Sequence, residues 1–157
     1  SPKNGRLTEW FKFIGLKAKV RNENLLKLLY NYLEANSRVL EGVEIKISDL
    51  ASLKKATQKN VISGLKRLQK SGAVELIDGK VSLTKEGLEL ASKVVRNHRL
   101  WELYLTNEAD YAADHVHDDA EKVEHLLSEE KVRELELFLD YPELDPHGKP
   151  IPGRVEG

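Results

Sequence analysis

Apolar residues recur at three- and four-residue spacing between residues 22 and 35, where Leu25, Leu28, Leu29, Tyr32 and Leu33 share a face. That period predicts a helix, with Asn22 or Asn24 as its cap. Residues 36–46 read as a connector containing Gly42. Ser48 can cap a short helix starting at Asp49, and a turn follows around Lys55 and Ala56. Thr57 then caps a longer helix to about Lys70, with Val61, Leu65 and Leu68 inward and Gly72 as its stop. Two β-prone runs, Val74 to Ile77 and Lys80 to Leu83, flank Asp78-Gly79, a strong hairpin signal. Thr84 caps the next helix, which runs through Gly87 to about Leu105. A glycine inside a helix costs about 1 kcal/mol and is tolerated. Residues 106–113 are a loop or the start of a helix, and Asp114 to Leu126 form another. Ser128 opens a last helix to about Leu139, which Tyr141-Pro142 ends. The segment DPHGKPIPG is extended or a turn, with His147 most simply on the surface.

Two helices joined by a short turn and followed by a hairpin make a winged helix. Thr57, Gln58, Lys59, Asn60, Ser63, Lys66 and Arg67 form the outer face of its second helix. Polar groups there can reach base edges, and Lys and Arg can pair with phosphates. Winged helices also bind proteins, so the fold alone does not establish DNA binding. The fold class is mainly α with a small β wing. Four segments are expected: a basic, aromatic arm or linker at 1–21, a winged helix-turn-helix domain at 22–95, a helical domain at 96–145 that carries the candidate metal ligands and that the resemblance given below makes a dimerisation domain as well, and an extended tail at 146–157.

The stretch from His98 to His125 carries the candidate chemistry. His98 and Glu102 are four apart and can reach one point. His117, Glu121, Glu124 and His125 form a stripe roughly 100° wide on a helical wheel and can reach another. Val116, Ala120, Val123 and Leu127 form the stripe beside it, so a ligand edge adjoins a buried edge. A solvated acidic helix would also carry such glutamates, but two HxxxE pairs plus ExxEH within 28 residues are less common. Imidazole and carboxylate ligands suit divalent manganese, iron or zinc.

Composition sharpens the picture. Residues 1–20 and 41–70 each carry a net charge of +4, whereas residues 106–145 carry −11. The basic part suits a polyanion and the acidic part a cation. The absence of cysteine excludes disulfides, zinc–thiolate sites and thiol catalysis. No apolar run approaches 18 residues, so no transmembrane helix is expected within the chain. No methionine is present, even at position 1, so a processed chain or one cut from something longer is expected. The arm at 1–21 has three readings: a helix packed on the domain, a nucleic-acid-contacting arm, or a segment just past a membrane span.

In order, ENLLKLLYNYLE, ISDLASLKKATQKNVISGLKRLQKSGAVEL, VSLTKEGLELA, RNHRLWELYL, DHVHDDAEKVEH and DPHGKPIPG resemble the diphtheria-toxin-repressor type of metal-dependent regulator, including its manganese branch. The resemblance spans about residues 22–153. It implies a homodimer that binds a palindromic operator in double-stranded DNA when activated by Mn2+ or Fe2+, with Zn2+ a further candidate. It also implies that His98, Glu102 and His117 match an ancillary metal site, and that Glu121, Glu124 and His125 match the primary one. Asn24 stands where the family's first helix supplies a methionine or aspartate ligand, and can ligate only as a neutral carbonyl. Lys27 stands where the manganese branch has a second acid, which argues against a two-ion site of that type. RNHRLWELYL and DHVHDDAEKVEH are also similar to the regulator-like cytosolic domain fused to permeases of some manganese, iron or zinc ABC transporters.

Three functional classes follow from these observations. The first is a cytoplasmic, metal-activated repressor of metal-uptake genes. The second is a metal-sensing domain of a transporter permease at the cytosolic face of the inner membrane, with or without DNA binding. The third is an enzyme, against which stand the lack of a nucleophile motif, a phosphate loop or HExxH. Neither of the first two needs a small-molecule substrate.

Overall fold

A computed structural model of the protein describes residues 15–108 and 124–153. These divide into two compact units that meet in sequence between Ala91 and Ser92. No described helix is long and apolar enough to cross a membrane.

The first unit opens with α1, Leu16–Asn36. Leu25, Leu26, Leu29, Tyr30 and Leu33 are buried on its inner face. The helix starts earlier than its apolar period suggests, because Gly15 is the N-cap and makes no side-chain cap bond. Asn22 and Asn24 are therefore interior helix residues and not caps. The connector after α1 also holds more structure than expected. Ile45–Lys46 form a short strand, β1, that pairs antiparallel with Val81 and Lys80. A strand of two residues is too short to show alternation, so the sequence pattern cannot reveal it.

Helix α2 spans Ile47–Lys54. Its N-cap is Lys46, without a side-chain bond, and not Ser48. Ser48 lies inside the helix, where its carbonyl accepts from the Ser52 hydroxyl at 3.1 Å. Lys55 ends the helix in the left-handed region at φ 52°. Helix α3, Gln58–Ser71, begins as expected: the Thr57 hydroxyl accepts from the Asn60 amide at 3.3 Å. Gly72 at φ 89° ends it, with its own amide donating to Gln69 and the Ala73 amide to Leu68. Val61, Leu65 and Leu68 are buried, and α3 packs closely on α1. A Cβ at Gly64 would stand 2.9 Å from Leu25 Cδ2.

Strands β2, Val74–Ile77, and β3, Lys80–Leu83, form the hairpin, and the sheet order is β1-β3-β2. Asp78 and Gly79 both have positive φ, 50° and 73°, as a type I′ turn requires. Helix α4, Lys85–Glu108, follows. The Thr84 hydroxyl accepts from the Gly87 amide at 3.0 Å and caps it. Gly87 is more than a tolerated glycine. A Cβ there would lie 1.8 Å from the Ala73 carbonyl oxygen, so the close approach of α4 to the start of the hairpin depends on it.

The second unit begins within α4 and includes α5, Glu129–Phe138. Ser128 caps α5 by accepting from the Lys131 amide at 3.2 Å. Leu100, Val132 and Leu135 form its buried core, with Trp101, Tyr104, Leu127, Leu139 and Ile151 packed around them. Trp101 stacks on Tyr104 at 5.1 Å between ring centroids, and Tyr104 meets Phe138 edge-on. Most of the helix expected over Asp114 to Leu126 lies outside the described residues. Its described end, Glu124–Leu126, is a 3-10 turn and not α-helix. The segment DPHGKPIPG, expected to be extended or a turn, is a closed turn where described. Leu144 pairs with Pro150, Asp145 and Ile151 donate to Lys149 and Glu143, and Gly148 sits at φ 82°. Asp, Pro and Gly at its first, second and fourth positions are the residues such a turn favours.

Candidate metal centre

The second unit buries a dense group of ligand-type side chains. His98, Glu102, Glu124 and His125 are each 4 % exposed or less, and Asp145 is 7 % exposed. Helix α4 sets His98 and Glu102 on one face by their four-residue spacing. The 3-10 turn presents Glu124 and His125, and the 145–150 turn presents Asp145 and His147.

The contacts join what the sequence separates into two sites. His98 directs Nε2 at Glu102 and Nδ1 at Glu124. His125 Nε2 lies 3.2 Å from the other oxygen of Glu124. Glu102 in turn presents its second oxygen to His147 Nδ1 at 3.4 Å. Glu102, Asp145 and His147 each offer a ligand atom, all within 4.8 Å of one another. Donors held 2.0–2.2 Å from one ion lie about 3–4 Å apart, so this trio needs little contraction to close on a cation.

His147 lies on the surface, as expected, but also joins this group. Its side chain is 40 % exposed, yet its ring faces a buried carboxylate. Asp145 and His147 were missed as ligand residues because they are more than 40 residues from Glu102. The signal that could have found them is DPHG, a tight turn that places an Asp and a His side by side. Asp145 Oδ1 accepts from the His147 and Lys149 amides at 2.9 and 2.8 Å, which fixes that turn. His117 and Glu121 lie outside the described residues. Asn24 belongs to the first unit, where it is half-buried and its Oδ1 has no hydrogen-bond partner among the described residues.

Burying carboxylates is costly unless charge and hydrogen bonds compensate. Three of them gathered with imidazoles, and no thiol in the chain, form a nitrogen–oxygen donor set that fits a divalent first-row ion.

Of the residues expected to face DNA, Thr57, Gln58, Lys59, Asn60, Ser63 and Lys66 are exposed on or at the start of α3, and Arg67 is half-buried.

Residues 84–153 match the family model described as "Iron dependent repressor, metal binding and dimerisation domain". The chain is 33 % identical over 117 residues to the iron-dependent repressor IdeR of Mycobacterium tuberculosis, covering 74 % of this chain and 51 % of that protein. A solved manganese-dependent transcriptional repressor in complex with manganese superposes with a TM-score of 0.73 at 32 % identity, over 84 % of this chain and 58 % of that one. The chain is similar to repressors of the diphtheria toxin repressor type. It spans about half the length of the curated repressors it matches. It is also 32 % identical to a "probable metal transport system membrane protein" of Chlamydia trachomatis, over 98 % of this chain and 34 % of that protein. Its resemblance to these repressors thus spans both units, with the family-model match confined to the second unit and the last residues of the first, beyond the wing.

Proposed function

We propose that the protein is a metal-responsive DNA-binding regulator of divalent-metal uptake, acting as a homodimer on an operator in double-stranded DNA. The observation that carries this reading is the chain of contacts Glu124–His98–Glu102–His147, buried as far as Glu102 and built on helix α4. His98, Glu124 and His125 would hold one manganous or ferrous ion, and Glu102, Asp145 and His147 a second. A bound ion supplies positive charge that offsets the mutual repulsion of Glu102, Glu124 and Asp145. The imidazoles of His98 and His147 orient the two oxygens of Glu102 in opposite directions, so this one side chain serves both groups. His117 and Glu121 are proposed as further ligands on the strength of the family pattern. On the DNA side, Gln58 and Asn60 at the start of α3 suit base edges, and Lys59 and Lys66 suit phosphates.

The test is binding to the promoter of its own operon at fixed salt, with and without manganese. A gain of tenfold or more, about 1.4 kcal/mol, is expected. Absence of any specific DNA binding, with manganese still taken up by the protein, would sink the regulator reading. Lys59→Ala is expected to weaken DNA binding about tenfold across sequences and to lower the salt slope by about 1, as loss of one phosphate contact does. Manganese affinity, read by calorimetry, stays unchanged in that variant.

A second reading is supported by the match over 98 % of the chain to the chlamydial membrane protein. Here the same metal centre reports metal level to a fused permease. Metal binding without DNA binding is its expected signature.

A further inference from the structure

Arg99 is a buried cation that neither the metal centre nor the DNA-facing surface uses directly. It is 3 % exposed and stands three residues before Glu102, on the same face of α4. Its Nη1 donates to the Pro150 carbonyl at 2.5 Å, and its Nε lies 4.0 Å from Asp145 Oδ2. Those two contacts grip the 145–150 turn at both ends. The turn itself is closed by Asp145 Oδ1, which accepts from the His147 and Lys149 amides and leaves Oδ2 toward the guanidinium.

The geometry points to Arg99 as a positioning residue that holds the Asp145–His147 turn over Glu102 and so assembles the second ion position. This rests on the metal-centre reading above. Its guanidinium is a rigid fork able to reach a carbonyl and a carboxylate at once, which a lysine ammonium on a flexible stem does not reproduce. The helix contributes Glu102 one turn further along, so the same stretch of α4 supplies one ligand and docks the segment carrying the other two.

The sign of one measurement separates positioning from simple charge pairing. A positive charge 4.0 Å from a ligand oxygen opposes a dication there. If charge were all that mattered, Arg99→Met would raise manganese affinity. Positioning predicts the reverse: a loss of tenfold or more at the Glu102–Asp145–His147 position, and no change at the His98–Glu124–His125 position.

The experiment is titration of the 157-residue chain with manganous ion, followed by the paramagnetic signal of free manganese, for the parent protein, Arg99→Met, Arg99→Lys and His147→Ala. Amide hydrogen exchange of residues 145–150 is read on each metal-free protein. Expected are loss of one ion's affinity in Arg99→Met and His147→Ala, a smaller loss in Arg99→Lys, and faster exchange in the turn for both Arg99 variants. Unchanged or raised affinity in Arg99→Met, with His147→Ala still weakened, overturns the positioning role alone. No effect of His147→Ala overturns the ion position itself, and the positioning role with it. If Arg99→Met does not fold, Arg99→Lys decides: unchanged affinity and exchange overturn the proposal.

Discussion

Replacing Glu124 with alanine is expected to lower manganese affinity at least 100-fold, about 2.8 kcal/mol, and to abolish the proposed metal-dependent gain in DNA binding. The size of the effect follows from the double engagement of this carboxylate. One oxygen faces His98 Nδ1 and the other lies 3.2 Å from His125 Nε2. Glu124 is 4 % exposed, so water does not readily take its place. Alanine removes the only anionic ligand of its group among the described residues and takes from His98 Nδ1 and His125 Nε2 the carboxylate they both face. Glu124→Gln keeps the shape and one acceptor oxygen but loses the charge, and is expected to fall between parent and alanine. Calorimetric titration with manganese reads the first effect and a gel-shift series with and without manganese reads the second. DNA binding by the metal-free protein and helical circular dichroism should not change. A Glu124→Ala protein that still answers manganese normally refutes the assignment.

Gly87→Ala is expected to destabilise the winged unit by about 3 kcal/mol or more, the upper end of the range for overpacking. The new methyl carbon would stand 1.8 Å from the Ala73 carbonyl oxygen and 2.7 Å from its carbon. That oxygen cannot simply move away, because it accepts from the Thr84 amide at 3.0 Å and from the Thr84 hydroxyl at 3.1 Å. Either α4 lifts from the hairpin or these bonds break. For a unit of this size each kcal/mol is worth about 4–8 °C in melting temperature, so a fall of more than about 12 °C is expected. Gly64→Ala is a milder comparison, since its near neighbour is the end of the Leu25 side chain and can shift. A change of only a degree or two for Gly87→Ala would mean that α4 and the hairpin are not in the close contact described.

The contrast at Gly87 shows where sequence reasoning reaches its limit. Helix propensity gives a glycine in a helix a small, local cost. The large term here comes from a backbone oxygen 14 residues earlier in the chain, which no local pattern encodes. Asn22 and Asn24 were misplaced as caps for a related reason. Capping residues are read where an apolar period begins, but α1 continues about two turns before that point, up to Gly15.

The elements themselves were legible wherever a local cause fixes them. Thr57, Thr84 and Ser128 cap the helices they precede because a short hydroxyl side chain can accept from a backbone amide three residues on. Asp78-Gly79 makes the wing turn because both positions need positive φ. The buried faces of α1 and α3 follow from apolar spacing, and the i, i+4 rule put His98 against Glu102. Those interactions span a few residues, so the sequence determines them by itself. Tertiary structure alone decided that His98 turns its other nitrogen to Glu124, 26 residues away. It alone placed Asp145 and His147 beside Glu102, through a turn gripped by Arg99. A metal centre requires donors to converge in space, and which distant turn supplies them depends on how α4, the 3-10 turn and the 145–150 turn pack together.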